Sequence, residues 1–108
     1  MEYRIHPKTG DKIGVIGIGT GPIFDTTERE AAAALNYAYE HGVNYLDFAT
    51  AGAKTFPYVG AALGSVRREL FYQIHFGANY ESGEYGWTTD LDTVKRQEIG
   101  RASCRERV

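Results

Sequence analysis

The chain has 108 residues, of which 43% are hydrophobic and 24% are charged, and its formal net charge is −2. Such a composition is ordinary for a soluble globular protein, and it lacks the Lys and Arg excess and the blocks of like charge that accompany nucleic-acid binding. No apolar stretch is long enough to span a bilayer, and the first residues lack the apolar segment of a secretory signal. We therefore expect a cytoplasmic protein that binds neither nucleic acid nor membrane.

Two strands are predicted at the start of the chain. Residues 2–5 and 12–18 have strand-like composition, and residues 7–11 between them are rich in turn formers. This pattern predicts a β-hairpin that continues into a buried strand. The segment from Gly19 to Pro22 ends that strand.

A helix follows, and both of its ends are marked in the sequence. Thr27 with Glu30 three residues later is a capping box, which predicts the helix start. Gly42 occupies the position where a helix commonly ends with a residue of positive φ. Between these ends, small and apolar residues recur at helical spacing on one face: Ala31, Ala34, Leu35 and Ala38.

Strands and helices then alternate. We predict a strand at residues 43–48, a loop at 49–56, a helix at 57–67, a strand at 70–76, a long glycine-rich loop at 77–87 and a last helix beginning near Thr89. This order indicates an α/β fold with a parallel sheet made of βα units. Three such units are too few to close an eight-stranded barrel, which needs about 250 residues.

Asp47 and His75 are the candidate catalytic residues. Side-chain alternation places them on the same face of neighbouring strands, near the carboxyl ends where barrel enzymes carry catalytic groups. A carboxylate beside an imidazole stabilises the imidazolium ion and orients it, as acid–base catalysis requires. The alternatives are a structural hydrogen bond at a strand end, or two side chains that never meet. The same alternation turns other residues toward the helices: Asn44, Leu46, Phe48, Leu70, Tyr72, Ile74 and Phe76.

Other residues carry weaker signals. The glycine-rich segment before Pro22 does not match the dinucleotide fingerprint, because proline replaces its last glycine and the helix begins several residues later. Close backbone packing is the better interpretation. Lys54 could bind a phosphate or carboxylate, or be simply solvated. The loop aromatics Tyr80, Tyr85 and Trp87 either form the wall of a ligand site or anchor the loop.

Neither a disulfide nor a metal site is predicted. Cys104 is the only cysteine in the chain. His6 and His41 have no partner at metal-ligand spacing, so surface or capping roles are favoured.

The last eleven residues differ in character from the rest. Residues 98–108, EIGRASCRERV, resemble the translation of a sequencing adapter and show no apolar periodicity. The alternative is a basic, solvated helix end. We expect residues 1–97 to be the genuine sequence, interrupted within its reading frame, and residues 98–108 to be an artefactual tail.

Three passages resemble the aldo-keto reductase superfamily: MEYRIHPKTGDKIGVIGIGTG, TTEREAAAALNYAYEHGVNYLDFATA and YVGAAL. The resemblance implies the N-terminal part of a (β/α)8 TIM barrel, incomplete here, whose bottom is closed by the hairpin. It also implies bound NADP(H) and hydride transfer to a small carbonyl substrate, or from an alcohol. Asp47 matches the active-site aspartate, and Gly19 and Thr20 join Asp47 as residues implied to bind the cofactor.

The chain departs from this family at two catalytic positions. Gly52 stands where the resemblance expects the proton-donating tyrosine, and His75 stands where it expects a lysine. General acid catalysis still needs a proton donor, and His75 oriented by Asp47 is the candidate.

Two functions therefore remain open for the parent protein. One is an NADP(H)-dependent oxidoreductase, of which this chain alone is an inactive fragment. The other is a nucleotide-binding barrel with little or no catalysis. Residues 48–77 also resemble a divergent branch whose longer members carry a C-terminal iron–sulfur segment, and such a cluster would lie in a segment missing from this chain.

Overall fold

The computed structural model describes the backbone of residues 1–104 and the side chains of residues 1–97. This part of the chain forms a mixed α/β structure. The strands are β1 (Tyr3–Ile5), β2 (Lys12–Gly14), β3 (Ile18–Gly19), β4 (Tyr45–Asp47), β5 (Phe71–Gln73), β6 (Ala78–Asn79) and β7 (Gly86–Trp87). The helices are α1 (Glu28–Glu40), α2 (Thr55–Leu63) and α3 (Leu91–Cys104), with 3-10 turns at Gly21–Asp25 and Gly64–Glu69.

A parallel sheet of order β3-β4-β5 lies at the centre. Gly19 is paired with Asp47, and Asp47 in turn with Gln73, so the three strands end at the same edge. Helix α1 connects β3 to β4 and helix α2 connects β4 to β5, and the two helices pack on each other. The predicted parallel βα arrangement is confirmed for these strands.

The N-terminal hairpin is confirmed, but the continuous strand predicted at residues 12–18 is wrong. Strands β1 and β2 pair antiparallel, and the chain then bends before β3 begins. Ile16, predicted to be buried, is 62% exposed. The two ends of the predicted strand have different partners, because β2 pairs with β1 and β3 pairs with β4. The Asn44 side chain accepts a hydrogen bond from the Gly14 amide and donates one to the Lys12 carbonyl, both at 2.8 Å. These bonds hold β2 at the beginning of β4, at the end of the sheet opposite Asp47.

Helix α1 has the predicted ends. The Thr27 hydroxyl accepts from the Glu30 amide at 3.1 Å, and the Glu30 carboxylate accepts from the Thr27 amide. At the other end Gly42 has φ +92°, and the amides of Gly42 and Val43 donate to the carbonyls of Tyr39 and Ala38. This is the Schellman pattern, and it turns the chain directly into β4.

The hydrophobic core lies between the sheet and the helices. Leu46 and Phe48 are buried there as predicted, and so is Leu70. The Phe48 ring stacks on Phe56 at 5.2 Å and on Tyr72 at 5.5 Å between centroids. The prediction of a helix-facing side chain fails beyond β5, where the chain has left the sheet: Ile74 is partly exposed and Phe76 is 82% exposed.

Two other boundaries differ from prediction. Helix α2 begins at Thr55 and ends at Leu63, followed by a 3-10 turn, whereas a single helix at residues 57–67 was expected. The long loop contains the short antiparallel hairpin β6–β7. Its paired residues are Ala78 with Trp87 and Asn79 with Gly86. Gly, Asn and Ala are uncommon in strands, so the sequence shows no strand pattern here. The backbone of α3 continues to Cys104, and the side chains of the predicted tail at residues 98–108 lie outside the described residues.

Candidate active site at the carboxyl end of the parallel sheet

Asp47 is fixed by its neighbours on both sides. Its carbonyl oxygen accepts hydrogen bonds from the Thr20 amide at 3.0 Å and from the Thr20 hydroxyl at 2.8 Å. On the other side the Phe48 amide donates to the Gln73 carbonyl at 2.9 Å. The backbone that carries the Asp47 carboxylate is therefore held at the end of the central strand, as a site on a rigid element requires.

His75 reaches Asp47 from the segment that follows β5. Its Nε2 lies 2.7 Å from Asp47 Oδ1, and since a carboxylate only accepts, Nε2 carries the hydrogen. His75 lies just beyond β5, before Gly77 takes φ +82°. Both side chains are partly accessible, with 42% of His75 and 33% of Asp47 exposed. The expected contact between the two candidate residues is thus present, in a position that a ligand can reach.

A second polar pair lies one layer deeper on the same face. The Tyr45 hydroxyl donates to Gln73 Oε1, and both pairs join residues 28 positions apart in the sequence. The Cα register of the two strands corresponds to a separation of 26, as in Asp47 and Gln73. Each side-chain pair is therefore displaced by two residues along β5, consistent with strands that are staggered as they are in barrels.

The loop after β4 is tightly packed at position 52. A Cβ on Gly52 would lie 3.1 Å from Cβ and Cδ2 of Phe24. Nearby, the buried hydroxyls of Thr50 and Thr55 are 2.7 Å apart, and the Thr50 hydroxyl also donates to the Gly52 carbonyl. The place where the resemblance expects a tyrosine is a closed turn around a buried glycine.

The β6–β7 hairpin docks on this turn. The Tyr85 amide donates to the Ala51 carbonyl at 2.7 Å, the Ala53 amide donates to the Gly83 carbonyl at 2.8 Å, and Gly52 forms an antiparallel bridge with Glu84. The hairpin thus brings its aromatic side chains to the edge of the sheet where Asp47 and His75 lie.

A cavity of about 300 Å³ opens between the two loops. It is lined by Ala49, Thr50, Ala51, His75, Tyr80 and Tyr85. Tyr80 is buried and its hydroxyl donates to the Thr50 carbonyl at 2.7 Å, so it anchors the hairpin. Tyr85 is 56% exposed and packs edge-on against Tyr80. The sequence left two roles open for the loop aromatics, the wall of a ligand site or an anchor for the loop. Tyr80 anchors the hairpin, and the exposed Tyr85 lies in the wall of the cavity.

Two further cavities adjoin the site. One of about 400 Å³ lies along the inner face of β3 and β4 and includes Gly19, Tyr45 and Asp47 in its lining. The other, of about 610 Å³, is bordered by the β4–α2 loop and the hairpin, with Lys54 and Tyr85 in its lining. Trp87, the third loop aromatic, is 72% exposed and lines none of these three cavities.

The residues implied to bind a cofactor take different positions. Gly19 is exposed at the end of β3, and a Cβ placed on it would meet no described atom within 4 Å. Thr20 is fully buried, with its hydroxyl already bonded to the Asp47 carbonyl. Thr20 therefore supports the site from beneath, and its predicted contact with the cofactor stays a prediction.

The remaining histidines take local roles. His41 Nδ1 donates to the Tyr37 carbonyl at 2.7 Å and caps α1, and His6 Nδ1 lies 3.3 Å from the amides of Lys8 and Thr9. Within the described residues, no group of three or more His, Cys, Asp or Glu side chains could hold a metal ion. None of the helices in that part of the chain is both long and apolar enough to cross a membrane.

Comparisons with known proteins show what this chain is similar to. No protein-family model and no curated protein matches the sequence. Two solved structures from Pseudomonas aeruginosa, each described as a "putative aldo-keto reductase", are similar to the chain at 25% identity with TM-scores of 0.70 and 0.69. Each match covers 96% of this chain and 42% of the other, so the chain spans less than half the length of these neighbours. The resemblance to the aldo-keto reductase superfamily seen in the sequence is thus confirmed by structure over nearly the whole chain.

Proposed function

We propose that this chain is part of an NADP(H)-dependent oxidoreductase that interconverts small carbonyl compounds and alcohols. One observation carries the proposal: Asp47 and His75 are hydrogen-bonded at the carboxyl end of a parallel sheet whose solved neighbours are described as aldo-keto reductases. This edge is where α/β barrels carry their chemistry. The proposed substrate is a small molecule, and the proposed location is the cytoplasm.

The complete protein is proposed to form a closed (β/α)8 barrel. Strands β3 and β5 are the outer strands of the described parallel sheet, and each leaves a backbone edge to be paired. The staggered Tyr45–Gln73 and Asp47–His75 pairs supply the inward-facing layers of such a barrel. The hairpin β1–β2, held by Asn44, would close its lower end.

The residues present fit the nicotinamide end of the cofactor. Gly19 leaves open space beside the Asp47 carboxylate, and the cavity along β3 and β4 borders both residues. A flat ring needs this close approach to the backbone, which a side chain at position 19 would hinder. When bound, NADPH supplies the hydride. The iron–sulfur cluster concerns a segment outside this chain and stays a prediction.

Asp47 and His75 are proposed to manage the proton. Asp47 accepts from His75 Nε2, which orients the ring, and the imidazole is proposed to exchange a proton with the substrate oxygen. General acid catalysis of this kind contributes about 10²- to 10⁴-fold to a rate. His75 also lines the 300 Å³ cavity, so a carbonyl compound bound in that cavity would lie beside the His75 side chain.

The complete protein with His75→Ala tests this role. We expect kcat for NADPH-dependent reduction of a panel of aldehydes to fall by about 10²-fold or more. His41→Ala is the matched control, because His41 caps α1 away from the sheet edge. Unchanged turnover of His75→Ala with every carbonyl tried would remove His75 from the mechanism.

The buried Gly52 favours a second candidate, a barrel that binds the nucleotide without efficient catalysis. A Cβ at this position would lie 3.1 Å from the Phe24 side chain, so the tyrosine expected by resemblance would require Phe24 to move. A fluorescence titration of the complete protein with NADPH measures binding of the cofactor. A single-turnover assay then measures hydride transfer. Tight binding with no oxidation would support this candidate over the enzyme.

A further inference from the structure

We infer that Tyr85 is the hydrogen-bond donor that anchors the carbonyl oxygen of a small ligand in the cavity between the β4–α2 loop and the β6–β7 hairpin. The inference rests on the proposed function for its ligand class. It adds a residue that the resemblance does not assign. It concerns binding and orientation, and adds no covalent step to the reaction.

Three hydroxyl groups border this cavity, and two of them are engaged. The Thr50 hydroxyl is bonded to Thr55 and to the Gly52 carbonyl, and the Tyr80 hydroxyl donates to the Thr50 carbonyl. The Tyr85 hydroxyl makes no hydrogen bond to any described residue, and Tyr85 is 56% exposed. Tyr85 is therefore the bordering hydroxyl that is available to donate to a ligand.

The backbone holds Tyr85 in place. Its amide donates to the Ala51 carbonyl at 2.7 Å. The preceding residue, Glu84, forms an antiparallel bridge with Gly52. The ring rests on the edge of the buried Tyr80, with centroids 5.9 Å apart. A phenol held on a paired backbone and packed against a buried ring loses little conformational freedom when it binds a ligand.

The lining defines the ligand. Ala49, Ala51 and the tyrosine rings offer apolar and aromatic surface, and Tyr85 and His75 are lining residues whose side chains carry polar groups. A volume of about 300 Å³ is at the small end of the range for ligand sites. An aromatic aldehyde or ketone the size of benzaldehyde matches this surface, with its ring on the tyrosines and its oxygen accepting from Tyr85.

Two measurements on the complete protein test the inference. The first is the affinity for benzamide, a carbonyl probe that is not reduced, measured by NMR titration. Tyr85→Phe removes one hydrogen bond and keeps the ring, so we expect the Kd to rise about tenfold. Tyr37→Phe is the control, since Tyr37 is 65% exposed on α1 and borders none of the three cavities of the site. Equal affinity of wild type and Tyr85→Phe, or no benzamide binding by wild type, overturns the inference.

The second measurement is NADPH-dependent reduction of benzaldehyde, and it separates the two proposals. If wild type turns over and Tyr85→Phe lowers kcat/KM at least tenfold, both proposals stand. If Tyr85→Phe turns over like wild type, the inference fails and the proposed function stands. If wild type reduces no carbonyl while Tyr85→Phe still weakens benzamide binding, the proposed function fails and the ligand site stands.

Discussion

At the scale of single residues, a few side chains and glycines fix the position of the candidate site and the space around it. Asn44 fastens the hairpin to the start of β4, and Asp47 occupies the other end of that strand. Gly52 closes the turn against Phe24, while Gly19 leaves space open beside Asp47. Glycine therefore allows close packing at position 52, where the Phe24 ring lies against it, and leaves open space at position 19, where no described atom lies within 4 Å.

Gly42 gives a prediction at this scale. A Cβ at position 42 would lie 2.6 Å from Tyr3 Oη, and the residue has φ +92°, which L side chains rarely adopt. We expect Gly42→Ala to destabilise the complete protein by roughly 2 kcal/mol, measured by urea unfolding. Gly19→Ala, with no neighbour within 4 Å among the described atoms, is the control for stability. Equal unfolding midpoints for the two variants would contradict the prediction.

At the scale of elements, helix ends connect the local sequence to the sheet. The capping box at Thr27 and the Schellman turn at Gly42 set the length of α1, and therefore the point at which β4 begins. Helix α3 begins in a related way, since Asp90 Oδ2 accepts from the amide of Thr93 at 3.0 Å and from its hydroxyl at 2.7 Å. Helix starts of this kind are stabilised by a negative charge.

The start of α3 should therefore respond to pH. The hydroxyl and then the amide of Thr93 lower the pKa of Asp90 from its ordinary value of 3.8. A lowered pKa in the folded state stabilises the fold above the unfolded-state pKa, and this contribution is lost as pH falls through the folded-state value. We expect wild type to have a higher Tm than Asp90→Asn at pH 7, and the difference to disappear in strong acid. A pH-independent difference would show that the charge of Asp90 has no part in it.

At the scale of the whole molecule, the described part is an open structure. The parallel sheet ends at β3 on one side and at β5 on the other, and large apolar side chains are exposed, Ile16, Phe76 and Trp87 among them. Exposed strand edges and apolar surface are the features that lead to association between chains. In the proposed barrel, further strands and helices would cover them.

The chain of 108 residues on its own is thus expected to aggregate or to remain partly unfolded, and to bind NADP(H) poorly. Size-exclusion chromatography with light scattering and thermal unfolding followed by circular dichroism measure the first two properties, and NADPH fluorescence measures the third. The complete protein, in which the proposed barrel would cover the sheet edges, is the control. A monodisperse monomer of the 108-residue chain that melts cooperatively would contradict this expectation.

The sequence by itself determined the features that depend on local and periodic signals. The capping box, the glycine stop and the βα order are encoded within a few residues of each position, and strand alternation placed Leu46 in the core and Asp47 beside His75. Tertiary structure decided what depends on contacts between distant segments. Asn44 bonds to β2, 30 positions away at Gly14, and the β6–β7 hairpin brings Tyr85 to Ala51, 34 positions away in the sequence. No local pattern encodes these contacts, because their hydrogen bonds form only when the folded chain brings the two segments together.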